Sequence, residues 1–443
     1  MKILSITAGA GNMYCGSCLR DNNLAGELKR QGHDVVLLPL YTPTRTDEAN
    51  ASRQQRVFFG GISVYLEQLS PLFRWTPKFL DKLWDLPSVI RLFAGRGVDV
   101  DPQSLGALTV SMLEGAAGRQ RKELDDLVEW LRHEPRPDVV TLPYTLLIAL
   151  AKPLREVTGR PVVCSLQGEE LFLDGLVEPY RTKALALVRA QVKEVDAFIA
   201  VSHYGARYMA GYLGIPSEKI HPVPLGISME GYSLERRTKN AARTVSFLGR
   251  IAPEKGLGHL ADAFHLLRQR KDLGPLRLEA AGYLPPEHKP YLAGIERKIA
   301  AAGWSSEFRY WGEVTREQKA RFLQNADVFS LPCSYDEPKG LPVLEAMACG
   351  VPVVAPRRGS FPEMIETTGG GLLVEPDSPA ALAEGLYQVL SRPDRTLELS
   401  RRAYEGVRRH YALEAMAART LAVYAEVGRG ASVGQARLLP DLR

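Results

Sequence analysis

The sequence is poor in cysteine and has no long hydrophobic run. Five cysteines occur among 443 residues, and an odd number in a long chain argues against a disulfide framework. No apolar run approaches the ~20 residues that a helix needs to cross a bilayer. The chain opens with Met-Lys-Ile-Leu-Ser-Ile-Thr, which enters a predicted strand without the cleavage site of a signal peptide. We therefore expect a cytoplasmic protein.

The sequence also lacks a strong bias of charge. It has 56 basic and 51 acidic residues spread along the chain, which gives a net charge of +5. So small a bias gives no reason to expect a nucleic-acid partner, and simple solubility accounts for it. No Asp-x-Asp motif stands at the end of a predicted strand, so we expect neither a bound metal nor a resident cofactor. The length is sufficient for two domains, each with its own core.

Two of the cysteines form the motif Cys15-Gly-Ser-Cys18. One C-x-x-C pair supplies only two of the four ligands of a structural zinc site. The other cysteines, Cys164, Cys333 and Cys349, stand in apolar strand or helix contexts. We interpret the pair as packed in a tight loop beneath the start of a helix, and a redox dithiol is the alternative.

The most informative stretch is residues 334–355, which predicts a loop, a short helix and a strand. It follows an apolar run, Val328–Cys333, that fits a strand buried on both faces of a parallel sheet. Pro342 suits the first turn of a helix and Gly350 suits the position just beyond its end, which predicts a helix over 342–349. Polar residues between strand and helix then lie at the edge of the sheet where open α/β sheets bind ligands.

Two glutamates lie at this edge. Glu337 follows the strand, and Glu345 comes eight residues later in the first turn of the helix. The first N–H groups of a helix are free to attract phosphate or a polarised hydroxyl, and here they belong to residues near Gly340, Leu341 and Val343. Two carboxylates around backbone donors suit a nucleotide sugar, which has hydroxyls at two places and an anion between them. The alternative is that Glu337 is a solvated loop residue and Glu345 a good helix former.

The spacing of Glu337, seven residues and Glu345, followed by Ala-Met-Ala-Cys-Gly-Val-Pro-Val-Val-Ala, resembles the donor-site signature of the retaining glycosyltransferases of family 4. The resemblance is strong over residues 244–376 and weaker in the first half of the chain. It implies an α/β fold of the GT-B type, with two Rossmann-like domains facing across a cleft. It also implies that Glu337 orients the hydroxyls of the donor sugar and that Glu345 binds the ribose diol.

The run Gly249-Arg250-Ile-Ala-Pro-Glu-Lys255-Gly256 follows a predicted strand and opens a helix. Arg250 and Lys255 would point from the strand end toward a diphosphate, where two fixed cations stabilise the developing charge without a metal. The alternative for Lys255 is an exposed lysine at a helix start. The run is similar to the phosphate-binding elements of family 4, which implies catalytic roles for both cations and a donor contact at Gly249.

A further predicted strand ends at Trp311-Gly-Glu313-Val314. At this position the resemblance implies that the backbone around Glu313 and Val314 binds the nucleotide base, so the side chains do not identify the base. Since no protein nucleophile is placed beside the sugar, the resemblance also implies the front-face mechanism proposed for the family. In that mechanism the departing phosphate oxygen takes the proton of the acceptor.

The start of the chain predicts a unit of strand, glycine loop, helix and strand. The glycines around Gly11 and Asn12 are not spaced as G-x-G-x-x-G, so a dinucleotide site has little support. The resemblance implies that this loop approaches the donor phosphates or the acceptor. Two further strand ends offer acceptor-side candidates: Gln167, Glu169 and His203. Family members often have a histidine near the position of Gln167, so this chain departs from them there, and His203 alternatively only follows a helix cap.

These patterns divide the chain into successive segments. They predict an acceptor-side Rossmann-like domain at 1–227, a linker at 228–243, a nucleotide-sugar-binding Rossmann-like domain at 244–397, helices at 398–427 that cross back to the first domain in the resembling family, and a mobile tail at 428–443. A helical insertion at about 71–118 carries aromatic and basic residues at helical spacing. We interpret it as packed on the first domain or covering the acceptor site, and peripheral membrane contact is the alternative.

The sequence as a whole predicts a retaining glycosyltransferase. Its partners would be a nucleotide diphosphate sugar and an acceptor that is a small molecule, a glycan or a lipid-linked molecule. A GT-B nucleotide-sugar epimerase and a non-catalytic sugar-nucleotide-binding protein are the alternatives. The presence of both cations and both glutamates argues against a decayed site, while the base, the sugar and the acceptor stay open.

Overall fold

The computed structural model of the chain describes residues 1–8, 16–41, 50–52, 102–234 and 242–436. The chain divides into two compact units, each built on one sheet of six parallel strands. The first unit comprises Met1–Val201, Gly205–Val223 and Ala417–Arg443, and the second comprises Ser202–Tyr204 and Pro224–Met416. The prediction of two Rossmann-like domains is confirmed.

The sheet of the first unit has the strand order β2-β1-β3-β4-β5-β6. Its strands are β1 Lys2–Thr7, β2 Asp34–Pro39, β3 Val139–Leu142, β4 Val162–Leu166, β5 Ala197–Ala200 and β6 Ile220–Pro222. Its helices are α1 Gly16–Arg30, α2 Pro102–Leu113, α3 Arg121–His133, α4 Ala151–Thr158, α5 Glu170–Asp174, α6 Tyr180–Gln191 and α7 His203–Leu213. Strands β3, β4 and β5 are buried along their whole length, because both faces of a parallel sheet are covered.

The sheet of the second unit has the order β12-β11-β10-β7-β8-β9. Its strands are β7 Arg243–Leu248, β8 Leu276–Ala281, β9 Phe308–Tyr310, β10 Val328–Ser330, β11 Val353–Pro356 and β12 Gly371–Val374. Its helices are α8 Leu257–Leu267, α9 Lys289–Ala301, α10 Arg316–Gln324, α11 Leu341–Ala348, α12 Phe361–Thr368, α13 Pro379–Leu390 and α14 Pro393–His410. The strand order reverses beside β7 and β10, which is where doubly wound sheets bind ligands.

The last helix, α15 (Leu413–Ala436), begins in the second unit and belongs to the first from Ala417 onward. It continues past Gly428, so residues 428–436, which the sequence places in a tail, are helical. Across the described ranges, no helix is both long and apolar enough to span a membrane.

One end of the predicted insertion belongs to the core of the first unit. Val110 and Leu113 on α2 are buried in that core. A Cβ on Gly106 would lie 2.5 Å from the ring of Tyr180 on α6, so the two helices approach closely. Residues 71–101, the larger part of the predicted insertion, lie outside the described residues.

Candidate active site

Lys255 is placed by a tight turn after β7. The chain leaves the strand at Leu248 and forms a 3-10 turn over Pro253–Lys255. Gly256 ends this turn with a φ of +84°, and a Cβ there would collide with the carbonyl oxygen of Pro332, just after β10. A residue at positive φ in such close backbone contact has to be glycine. The turn therefore brings Lys255 against the segment that carries Glu337.

Lys255 and Glu337 form an ion pair with little exposure to solvent. Nζ of Lys255 donates to Oε2 of Glu337 at 2.6 Å, and the two side chains are 19% and 6% exposed. The Tyr335 hydroxyl accepts from Lys255 and donates to the same Oε2. Because an ammonium group has three N–H donors, Lys255 keeps one for a ligand after these two contacts.

The second oxygen of Glu337 accepts from the backbone. Oε1 receives the N–H of Lys339 at 3.1 Å and that of Gly340 at 3.4 Å. Burial acts to raise the pKa of Glu337, but the charge and hydrogen bond of Lys255, with the hydrogen bond of Tyr335, outweigh it and lower the pKa to about 2. Glu337 is therefore an anion at physiological pH, and a weak base.

The dependence of stability on pH tests this ion pair. Folding lowers the pKa of Glu337 from 4.5 to about 2, so the associated stabilisation is complete above the higher value and is lost as the pH falls toward the lower one. The shift corresponds to on the order of 3 kcal/mol. We expect urea titrations at pH 7 to give wild type a higher free energy of unfolding than Glu337→Gln. In titrations at lower pH, the difference in free energy between the two proteins should decrease steadily below pH 4.5. The exposed-site variant Glu366→Gln is the control, and a Glu337→Gln difference independent of pH would contradict the assignment.

The backbone of Glu337 is held by the loop after β11, a contact that sequence analysis missed. Ser360 donates to the Glu337 carbonyl oxygen through its N–H and its Oγ, both at 2.8 Å. Gly359 has a φ of +58°, and a Cβ there would lie 2.5 Å from both the N and the O of Glu337. A signal was available, because this Gly-Ser pair follows a predicted strand and precedes Pro362 at a helix start.

Gly359→Ala should therefore disturb Glu337 without altering any side chain of the site. We expect kcat to fall about ten- to a hundredfold, because a displacement approaching 1 Å is enough for such a loss. Gly369→Ala is a matched control, since Gly369 has a similar φ of +65° but its added Cβ would meet only the flexible side chain of Arg402. Steady-state kinetics on both variants, with circular dichroism to confirm folding, test this. Equal losses in the two variants would show that backbone strain alone, not Glu337, is responsible.

The N-terminus of α11 differs in one respect from the prediction. The N–H of Gly340 contacts Glu337, and the N–H of Val343 donates to the Gly340 carbonyl oxygen at 2.9 Å. Two of the three predicted donors are thus used within the chain, because Gly340 has a φ of +63° and tightens the first turn. The N–H of Leu341 makes no hydrogen bond within the described ranges, so it is the donor that this terminus offers to a ligand.

Glu345 is buried on α11 in a network of its own. Its Oε1 forms an ion pair with Nζ of Lys319 at 2.6 Å and accepts from the hydroxyl of Tyr232 at 3.1 Å. Neither partner was predicted from the sequence. Lys319 lies within the polar helix α10, and Tyr232 lies in the segment predicted as a linker, so neither position has a pattern that marks it.

Three glycines line the ends of β7, β8 and β9. The N–H of Gly282 donates to the Gly312 carbonyl oxygen at 2.8 Å, and a Cβ on Gly282 would collide with the carbonyl oxygen of Gly249. The predicted donor contact at Gly249 therefore lies on a surface of backbone atoms. Glu313 is exposed and Val314 is half-buried after β9, and their predicted contact with the base stays a prediction.

Arg250 lies at the end of β7, and its guanidinium is about half exposed. It pairs with Glu254 one turn later, while Lys255 pairs with Glu337. The structure thus brings together Lys255 and Glu337 directly and places Arg250 at the same strand end as an exposed cation.

Two of the four acceptor-side candidates, Gln167 and Glu169, lie together in the first unit. Oε2 of Glu169 accepts the N–H of Gln167 at 2.7 Å, and both residues are buried. The Gln167 side chain also donates to Oδ1 of Asp21 at 3.3 Å. His203, which begins α7, belongs to the second unit and is exposed. The other predicted residues of the first unit, Gly11, Asn12 and Cys15, lie outside the described residues.

The remaining sites of interest concern metals and thiols. No cluster of three or more His, Cys, Asp or Glu side chains suited to a metal is found in the parts of the chain that the structure describes. Cys18 is buried on α1. Burial raises the pKa of the Cys164, Cys333 and Cys349 thiols, so these groups stay protonated and unreactive.

Two family models match successive parts of the chain. The model described as "Glycosyl transferase 4-like domain" matches residues 20–226, and "Glycosyl transferases group 1" matches residues 234–408. The chain is 31% identical over 267 residues to the phosphatidyl-myo-inositol mannosyltransferase of Mycobacterium tuberculosis, a match that covers 57% of this chain and 67% of that protein. It is 30% identical over 237 residues to the MMP alpha-(1->4)-mannosyltransferase of Mycolicibacterium hassiacum, covering 52% of this chain and 54% of that protein. The chain thus spans about half the length of the second relative.

The whole chain also has a counterpart among solved structures. The sucrose-phosphate synthase of Thermosynechococcus elongatus aligns with a TM-score of 0.68 at 19% identity, over 97% of this chain and 99% of that one. At this identity the likeness shows the fold, and the predicted GT-B class is confirmed. The two family models together match most of the chain, and the sequence signature around Glu337 and Glu345 lies within the second. The chain therefore belongs to the group 1, or family 4, glycosyltransferases.

Proposed function

We propose that this glycosyltransferase moves a sugar from a nucleotide diphosphate sugar to an acceptor hydroxyl with retention of anomeric configuration. The observation that supports it most directly is the 2.6 Å ion pair of Lys255 with Glu337. The pair lies at the carboxyl ends of β7 and β10, beside an available backbone N–H at Leu341. A fixed cation and a backbone donor stabilise the charge of a departing diphosphate, while a fixed carboxylate accepts from sugar hydroxyls.

Retention follows, in this proposal, from the state of Glu337. Its two oxygens accept from Lys255, Tyr335 and two backbone N–H groups, and its pKa of about 2 makes it a weak base. Such a carboxylate is a poor nucleophile, so the acceptor attacks from the face that the diphosphate leaves. The departing phosphate oxygen takes the acceptor proton. The contact of Oε1 with the Gly340 N–H is long, at 3.4 Å, which leaves that oxygen able to accept from a sugar hydroxyl.

Transfer assays with a panel of donors and acceptors would identify the two substrates. The two relatives described above are mannosyltransferases by name, and another similar protein is named as GDP-mannose-dependent. GDP-mannose is therefore the first donor to test, with UDP- and ADP-sugars beside it. The acceptor panel contains inositol phosphates, phosphatidylinositol vesicles and short glycans. We expect transfer from one donor with the product anomer matching the donor anomer, measured by NMR. Donor epimerised without any acceptor would indicate the epimerase alternative, and tight donor binding without turnover would indicate a non-catalytic binding protein.

We also propose that transfer needs no divalent metal. The charge that a metal would neutralise is met by Lys255, by Arg250 and by the N-terminus of α11. We expect the initial rate to stay within about twofold when EDTA replaces added magnesium or manganese, because no part of the leaving-group stabilisation depends on the ion. A large loss of activity in EDTA that added manganese reverses would overturn this prediction. The assay should contain no coupling enzyme, so that the chelator acts on this enzyme alone.

A further inference from the structure

The buried Glu345 carboxylate makes its contacts through one oxygen, which ribose binding alone does not require. Oε1 lies 2.6 Å from Nζ of Lys319 in an ion pair and accepts from the hydroxyl of Tyr232 at 3.1 Å. One ion pair and one hydrogen bond therefore hold Oε1. Oε2 makes no hydrogen bond in the described part of the chain. The carboxylate is thereby fixed in one orientation with one acceptor left.

The partners come from two different elements of the second unit. Lys319 lies on α10, which begins with a capping box between Thr315 and Gln318 and is thereby fixed at its start. Tyr232 lies in the described part of the predicted linker, residues 228–234. That segment is fastened to α10 by Gln324, whose Nε2 donates to Oγ of Ser233 at 3.1 Å. The orientation of Glu345 thus depends on how this segment packs against α10.

Charge explains why a lysine, and not a second neutral donor, is present. The side chains of Lys319 and Glu345 are 6% and 8% exposed, so water screens the carboxylate poorly. A bare buried carboxylate close to a diphosphate would repel it. Paired with Lys319, Glu345 keeps a strong acceptor for hydroxyl groups while the pair carries no net charge.

We propose that Lys319 and Tyr232 are positioning residues for nucleotide binding. They hold Glu345 so that Oε2 accepts from the ribose diol, and Lys319 cancels the carboxylate charge that would oppose the diphosphate. This proposal rests on the proposed function and on the ribose-binding role that the family resemblance implies for Glu345. It assigns a binding role to a tyrosine of the predicted linker and to a lysine outside the family signature.

Nucleotides without the diol separate this role from a structural one. Calorimetry would measure the Kd of GDP and UDP and of their 2′,3′-dideoxy analogues for wild type, Glu345→Ala, Tyr232→Phe and Lys319→Met. We expect Tyr232→Phe to weaken binding of the preferred diphosphate about threefold and Lys319→Met to weaken it at least tenfold. Binding of the dideoxy analogue should change little in Tyr232→Phe, since its hydroxyl acts only through Glu345 on the diol.

Matched controls and a second variant keep the test decisive. Tyr387→Phe and Lys298→Met remove a tyrosine–carboxylate contact and a lysine–carboxylate pair elsewhere in the unit, and neither should change either Kd. Breaking a buried pair is strongly destabilising, so if Lys319→Met does not fold, Tyr232→Phe decides. Equal losses for the natural and dideoxy nucleotides in Tyr232→Phe, or no loss, would overturn the inference. If Glu345→Ala weakens binding of the natural and the dideoxy nucleotide equally, the assignment of Glu345 to the ribose fails instead, while the proposed transfer reaction is not affected.

Discussion

Replacing Lys255 with methionine is expected to lower kcat about 100- to 1000-fold, with a smaller rise in the KM for the donor. The departing diphosphate gains negative charge only as the glycosidic bond breaks, so a fixed cation stabilises the transition state more than the bound substrate. Loss of one such fixed donor typically costs two to three orders of magnitude in kcat. Lys255 is suited to this role because Glu337 and Tyr335 hold its ammonium in place. Although burial acts to lower it, the pKa of Lys255 is raised by the charge of Glu337, so the group stays a cation.

Lys271→Met is the control for this change, since it removes an exposed lysine of the same unit. Steady-state kinetics with the donor found in the panel should show the loss only in the Lys255 variant. Lys255→Arg should recover little, because a planar guanidinium cannot reproduce the compact ammonium between Tyr335 and Glu337. A Lys255→Met enzyme with near-normal kcat would place the stabilising charge elsewhere, with Arg250 the next candidate.

The architecture was accessible from sequence because its signals are local. Pro342 and Gly350 predicted a helix over 342–349, and the structure has α11 at Leu341–Ala348. The apolar run Val328–Cys333 predicted a buried strand, and β10 is buried along its whole length. Strand ends were less accurate, as at β10, which stops at Ser330 although the apolar run continues to Cys333. Apolar character marks burial, whereas a strand ends where its hydrogen-bonded partners end.

The contacts of the site were not accessible in the same way. The motifs placed Lys255 and Glu337 at neighbouring strand ends, but a pairing between residues 82 positions apart depends on the turn at Gly256 that brings them together. Tyr232 lies in a polar segment without periodicity, and Lys319 lies in a helix of polar composition, so no sequence pattern marks either residue. A buried lysine has the same sequence appearance as an exposed one, and only its partner, Glu345, shows the difference.

The two glutamates of the signature should fail in different ways when each is replaced by alanine. Glu337 is held by four donors and by the backbone contacts of Ser360, and in the proposed function it fixes the reacting sugar against Lys255. We expect Glu337→Ala to lower kcat about a hundredfold, the loss typical of a misplaced reactant. Its affinity for free nucleoside diphosphate should stay the same or rise, because Lys255 is released to the phosphates.

Glu345→Ala should instead raise the donor KM about tenfold and leave kcat within a few-fold of wild type. A hydrogen bond to the ribose diol is made equally in the bound substrate and in the transition state, so its loss weakens binding without slowing the chemical step. Calorimetry with free nucleoside diphosphate should then show weaker binding in Glu345→Ala only, with Glu366→Ala as an exposed-site control. Because Lys319 is left buried without its partner, the Glu345 variant also needs a folding check by urea titration. Equal loss of nucleotide affinity in the two folded variants would mean that Glu337, too, acts on the nucleotide and not on the sugar.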